Sequence, residues 1–102
     1  EISIVFSPKA VEDLDGINAY VCVAIFIPKA ANEKIIEILD AIDNLAVSPE
    51  IGHSLRGKVN SLTKYRCLSV SGYLVFYRNE RDKVFVIRIL NSRMDYLRIL
   101  GL

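Results

Sequence analysis

The sequence predicts an α+β fold: an N-terminal strand, an α-helical hairpin, then a three-stranded antiparallel meander and a short C-terminal segment. Three observations predict it. Apolar residues recur at 4-3-4-3 spacing through two early stretches, apolar residues alternate with period two from residue 65 onward, and the links between those later stretches are short.

The elements follow in chain order. Ile2, Ile4 and Phe6 alternate with smaller or polar neighbours, the period of a half-buried strand. Ser7-Pro8 then supplies an N-cap hydroxyl and a proline whose fixed φ suits the first helical position. Ala10, Leu14, Ile17, Val21 and Ala24 form one apolar stripe, with Glu12, Asp13 and Asp15 in the first turns, where the macrodipole favours acids. Gly16 weakens that helix, and its missing side chain is expected to permit close packing. Pro28 ends this helix and opens a second, with the stripe Ala31, Ile35, Ile38, Ile42 and Leu45; Ser48-Pro49 ends that one.

A loop through Gly52 and Gly57 leads to strands at 65–70, 73–78 and 83–90, joined by Ser71-Gly72 and by residues 79–82. A two-residue first turn pairs Val70 with Tyr73, Leu68 with Val75 and Arg66 with Tyr77. A four-residue second loop pairs Tyr77 with Val84, Val75 with Val86 and Tyr73 with Arg88. One face then holds Cys67, Leu74, Phe76, Phe85 and Ile87 and is expected to meet the helices. The other carries Arg66, Arg88, Tyr73 and Tyr77 on a floor of Leu68, Val70, Val75, Val84 and Val86. An open face that is apolar, aromatic and cationic predicts a partner. The alternative is that residues 93–102, with Met94, Leu97 and Leu100 at helical spacing, fold over part of it.

Composition narrows the function. At 102 residues the chain suits a single domain, 1–102, and no apolar run approaches the length of a membrane span. The stretch 20–27 ends at Pro28 and lacks the leading charges of a signal peptide, so a cytoplasmic protein with no membrane partner is expected. Its own alternatives are burial in the hairpin and an extra contact surface. Cys22 and Cys67 read as buried thiols. The net charge of +1 divides into −6 over residues 1–51 and +7 over 52–102, and a basic half attracts an acidic partner.

No Gly-rich phosphate loop, metal-ligand cluster or Ser-His-Asp arrangement is present, so neither a cofactor nor a metal is expected. The lone His53 reads as a loop surface residue, and Glu12, Asp13, Asp40 and Asp43 read as solvated helix faces. Chemistry, if there is any, falls to Arg and Tyr.

Six pieces in register carry a family likeness: Ser7-Pro8-Lys9-Ala10 with Asp13-Leu14 and Ile17; Leu45-Ala46-Val47-Ser48-Pro49 with Gly52; Tyr65-Arg66; Gly72 through Arg78; Ile87-Arg88-Ile89-Leu90; and Arg93 with Asp95. Together they resemble the ParE branch of the RelE/ParE toxin superfamily over nearly the whole chain. The resemblance implies the toxin of a bacterial type II toxin–antitoxin pair, of the plasmid-stabilization kind, neutralised in a hetero-oligomer by a cognate antitoxin with an acidic, partly disordered segment.

ParE-like members inhibit DNA gyrase, whereas RelE-like members cut messenger RNA in the ribosome. RelE-like nucleases carry a catalytic arginine after the turn's Gly-Tyr; here that residue is Leu74, which the register above points into the core. The chain departs from the ParE pattern as well, since the position after the last strand that is often histidine in the family is Asn91. The resemblance therefore implies a gyrase inhibitor that uses Arg56, Arg66, Arg88, Arg93 and Tyr96, with Tyr73 and Tyr77, against its target or antitoxin. Arg56 and Lys58 also fit a solvated loop. The alternatives are a messenger endoribonuclease using Arg66, Arg88 and Tyr96 or Tyr77, and a non-toxic remnant that binds an antitoxin.

Overall fold

A computed structural model describes residues 2–25, 28–54 and 65–100. Strand β1 (Ser3–Phe6) leads into helices α1 (Pro8–Ile25) and α2 (Pro28–Leu45). There follow β2 (His53–Ser54), β3 (Tyr65–Val70), β4 (Tyr73–Glu80), β5 (Lys83–Asn91) and the short α3 (Tyr96–Leu100). The strands form one sheet in the order β1-β5-β4-β3-β2. This is the expected α+β architecture, with two additions: β1 joins the sheet parallel to β5, and β2 extends it beside β3. A parallel pair needs a long connection, and here it runs through the helical pair, which carries the chain from β1 to β2 at the far edge of the sheet, and then back through β3 and β4.

The helix starts obey local chemistry. Ser7 Oγ accepts the Ala10 N–H at 3.0 Å and donates to the Ile87 carbonyl at 2.6 Å, so one hydroxyl caps α1 and ties it to β5. Pro8 and Pro28 each occupy the first helical position. The first turn of α1 holds no acid, since Glu12 begins the second. Among the described residues nothing lies within 4 Å of a Cβ built on Gly16, so none of them makes the close packing expected there.

The first hairpin has the expected register, Val70 opposite Tyr73, Leu68 opposite Val75 and Arg66 opposite Tyr77. Its turn places Ser71 at φ 51° and Gly72 at φ 82°, the left-handed pair that matches strand twist. The second hairpin differs from expectation. Its loop is Arg81-Asp82, not four residues, and Arg81 takes φ 53°. Glu80 therefore faces Lys83, Arg78 faces Phe85 and Tyr77 faces Val86. A bulge beyond Tyr77 inserts one residue in β5, so that Phe76 faces Arg88, Val75 faces Ile89 and Tyr73 faces Asn91.

The two sheet faces are the reverse of the expectation. The helices cover Tyr73, Val75, Tyr77, Val84, Val86 and Ile89, all buried, and Leu68 and Val70 pack beside them. From the helices, Ala10, Ile17, Ile38, Ile42 and Leu45 complete this core. The other face carries Cys67, Leu74, Phe76 and Leu90, and α3 lies against it through Tyr96 and Leu100. The C-terminal segment does fold over a sheet face, but not the valine-floored one. Both faces are apolar enough for a core, and the helical pair took the one with the β-branched row.

Candidate functional site

Tyr77 organises one end of the molecule. Its ring is fully buried, and its hydroxyl donates to the Pro49 carbonyl at 2.6 Å and accepts the Gly52 N–H at 3.1 Å. Arg66, opposite Tyr77 on β3, donates through Nη2 to the carbonyls of Glu50 at 2.9 Å and Gly52 at 2.6 Å. Two side chains thus hold the backbone after α2 against the sheet. Gly52 is required by contact: a Cβ would sit 2.6 Å from the Tyr77 hydroxyl and 2.8 Å from the Cys67 carbonyl.

Arg88 belongs to a different place. Beyond β1 the outer edge of β5 is met by α1, and Asp13 reaches across to it. Asp13 Oδ2 accepts the Ile89 N–H at 2.9 Å and Arg88 Nε at 2.8 Å, while Oδ1 accepts Nη2 at 3.0 Å. This bidentate pair is mostly covered, with side-chain exposures of 22% for Arg88 and 13% for Asp13. Asp13 is therefore not the solvated helix residue expected. Its hydrogen bond holds the Arg88 guanidinium above its ordinary pKa, against burial that lowers it, and the charges of Asp13 and Glu12 add to the rise. Beside the pair opens a cleft of about 310 Å³ floored by Ile17, Tyr73, Ile89 and Leu90 and rimmed by Gly16 and Met94.

The structure does not assemble the open basic face expected of Arg66, Arg88, Tyr73 and Tyr77. Arg66 is bound to the 50–52 backbone and Arg88 to the Asp13 carboxylate, Tyr77 is sealed, and Tyr73 is 8% exposed in the core. Arg93 is exposed, its N–H held by Asn91 Oδ1 at 2.9 Å. Tyr96 packs on Phe76 with ring centroids 5.3 Å apart. Leu74 points away from the helical core and into the cluster of Phe76, Leu90, Tyr96 and Leu100, correcting the expectation that it faces the helices. Cys67 lies half-buried beside it. Arg56, Lys58 and the side chains of His53, Cys22 and residues 20–27 lie outside the described residues.

A cationic and aromatic row does exist, on the other face. Val5, Phe85, Arg78 and Tyr65 are successive partners across β1, β5, β4 and β3. Arg78 Cζ stands 5.1 Å from the Phe85 ring centroid, and Nε lies 3.1 Å from Glu80 Oε1 without hydrogen-bond alignment. Sequence reasoning missed this row because a four-residue loop displaces Arg78 from Phe85, and the two-residue turn at Arg81-Asp82 that brings them opposite has no glycine to mark it.

Among the described residues no group of three or more His, Cys, Asp or Glu is placed to hold a metal, and no helix is long and apolar enough to cross a membrane.

A helical pair on one face of a sheet, with a short C-terminal helix on the other, defines a RelE/ParE-like fold. A solved structure described as the chromosomal ParDE TA system from P. aeruginosa matches it at a TM-score of 0.73 and 20% identity, covering 88% of this chain and 95% of that one. Comparison with curated protein sequences returns no match. Residues 4–96 match the family model described as the ParE toxin of the type II toxin-antitoxin system, parDE, and the chain belongs to that family.

Proposed function

We propose that this toxin acts by binding and inhibiting DNA gyrase, in the cytoplasm, rather than by cutting RNA, and that a cognate antitoxin neutralises it by folding an acidic segment onto it. One observation carries the first part. Where RelE-like nucleases place a catalytic arginine, this chain has Leu74 packed among Phe76, Leu90, Tyr96 and Leu100, while Arg66 and Arg88 are bound to the 50–52 backbone and to Asp13.

Cleaving a phosphodiester needs cations on the developing charge and a group that takes the 2′-hydroxyl proton. An apolar cluster supplies neither, so the arrangement favours poisoning by contact. For the antitoxin, the exposed Arg93, Met94, Arg98 and Ile99 offer cations beside apolar side chains, the complement of an acidic amphipathic segment. The test is a supercoiling assay with purified toxin: inhibition by toxin, relieved by antitoxin, supports the reading. Supercoiling that persists at excess toxin, with new 5′ ends on translated messages, overturns it.

A further inference from the structure

Strand β5 is covered along only part of its outer edge. β1 pairs with it from Lys83 to Val86, and past that point no strand lies beside that edge among the described residues. The uncovered stretch belongs to the run Val84-Phe85-Val86-Ile87-Arg88-Ile89-Leu90, which holds a single charge and neither glycine nor proline. A β-prone segment of that kind with a bare edge is a template for pairing with a second copy of itself.

Side chains of α1 and of the residue before it stand where the missing strand would be. Ser7 Oγ donates to the Ile87 carbonyl at 2.6 Å, as a strand's N–H would, and Asp13 Oδ2 accepts the Ile89 N–H at 2.9 Å, as a strand's carbonyl would. Further on, the Met94 N–H closes onto the Asn91 carbonyl at 3.0 Å. Bulk does not shut this edge. The cleft of about 310 Å³ opens here between Gly16 and residues Ile89, Leu90 and Asn91, and among the described residues nothing lies within 4 Å of a Cβ at Gly16.

We infer that Asp13 guards the outer edge of β5 against strand addition, and that the strand it excludes is the β5 of a second copy of this chain. Arg88 is a positioning residue in this device. Its Nε and Nη2 clamp both carboxylate oxygens, so an incoming carbonyl has to displace a charge-assisted, mostly covered pair rather than water.

The experiment follows sedimentation and hydrogen exchange of the Ile89 amide over a range of protein concentrations in wild type, Asp13→Ala, Arg88→Met and Tyr77→Phe. Tyr77→Phe controls for lost stability, since its hydroxyl bonds the Pro49 and Gly52 backbone and not this edge. In wild type the Ile89 amide is expected to exchange at one rate at every concentration. In dilute Asp13→Ala it exchanges about tenfold or more faster, and protection returns as concentration rises and larger species form. Arg88→Met, which keeps the carboxylate but unclamps it, shows the same change to a smaller degree and carries the test where Asp13→Ala does not fold. Association of Tyr77→Phe to the same extent makes lost stability the cause and overturns the inference. So does a folded Asp13→Ala, or Arg88→Met in its place, that stays as dispersed as wild type. Association that leaves Ile89 unprotected, or a wild-type Ile89 amide whose exchange slows with concentration, overturns it too.

Discussion

Tyr77→Phe removes a single oxygen atom and unmakes two hydrogen bonds, one to the Pro49 carbonyl and one from the buried Gly52 N–H. Leaving a buried donor without a partner costs about 1–3 kcal/mol, and the half-covered Pro49 carbonyl adds less because water reaches it. The total is about 2 kcal/mol, which for a domain of this size lowers Tm by about 8–16 °C. Urea unfolding measures it directly, with the midpoint moving and the m-value unchanged.

Gly52→Ala tests the same contact from the other side. Its Cβ falls 2.6 Å from the Tyr77 hydroxyl and 2.8 Å from the Cys67 carbonyl, so backbone or ring must shift, at a cost of about 1–3 kcal/mol. In the Tyr77→Phe background the hydroxyl collision is gone, so the double variant loses less stability than the two single losses added, by about 0.5 kcal/mol or more. A Tyr77→Phe loss under about 0.5 kcal/mol, or strict additivity, refutes the role given to the hydroxyl.

Three further outcomes follow from the other anchors. Ser7→Ala loses the α1 cap and the bond to the Ile87 carbonyl together, and thermal unfolding should show a cost of about 1–2 kcal/mol; Ser7→Thr recovers most of it. Asp13→Ala strands the Ile89 N–H and the Arg88 guanidinium, with an expected loss of about 2–3 kcal/mol in urea that added salt barely changes, because the pair is largely covered. Because Arg88 has a raised pKa when folded, its stabilisation is fully present below its ordinary value and lost only as pH rises through the folded one. The stability difference between wild type and Arg88→Met should therefore stay constant from about pH 6 to 9; a slope within that window contradicts the assignment.

Much of the architecture was legible from local chemistry. Ser7-Pro8 and Pro28 mark helix starts because caps and ring constraints act within a turn. Ser71-Gly72 sets the register of the first hairpin because a two-residue loop needs positive φ and glycine supplies it readily. Arg81-Asp82 gave no such signal: a non-glycine residue at φ 53° is held there by the strands on either side rather than by its own preference. The parallel pairing of β1 with β5 was hidden too, since partners 80 residues apart leave no local trace.

For the site, the residues were legible and their company was not. Alternation with period two sorts β3, β4 and β5 into two sets, and both sets are apolar: Leu68, Val75, Val84 and Val86 on one, Cys67, Leu74, Phe76 and Phe85 on the other. Which set lies under the helices depends on packing across the whole sheet, and the bulge beyond Tyr77 turns Ile89 toward the helices and Leu90 away. Likewise the chain read alone places Arg66, Arg88, Tyr77 and Asp13 at those points and says nothing of what each one meets. That Arg66 and Tyr77 hold a loop and that Asp13 binds Arg88, so that the two arginines and Tyr77 share no open face, is settled in three dimensions, because each contact spans 14 to 76 residues and forms only once the helices close on the sheet.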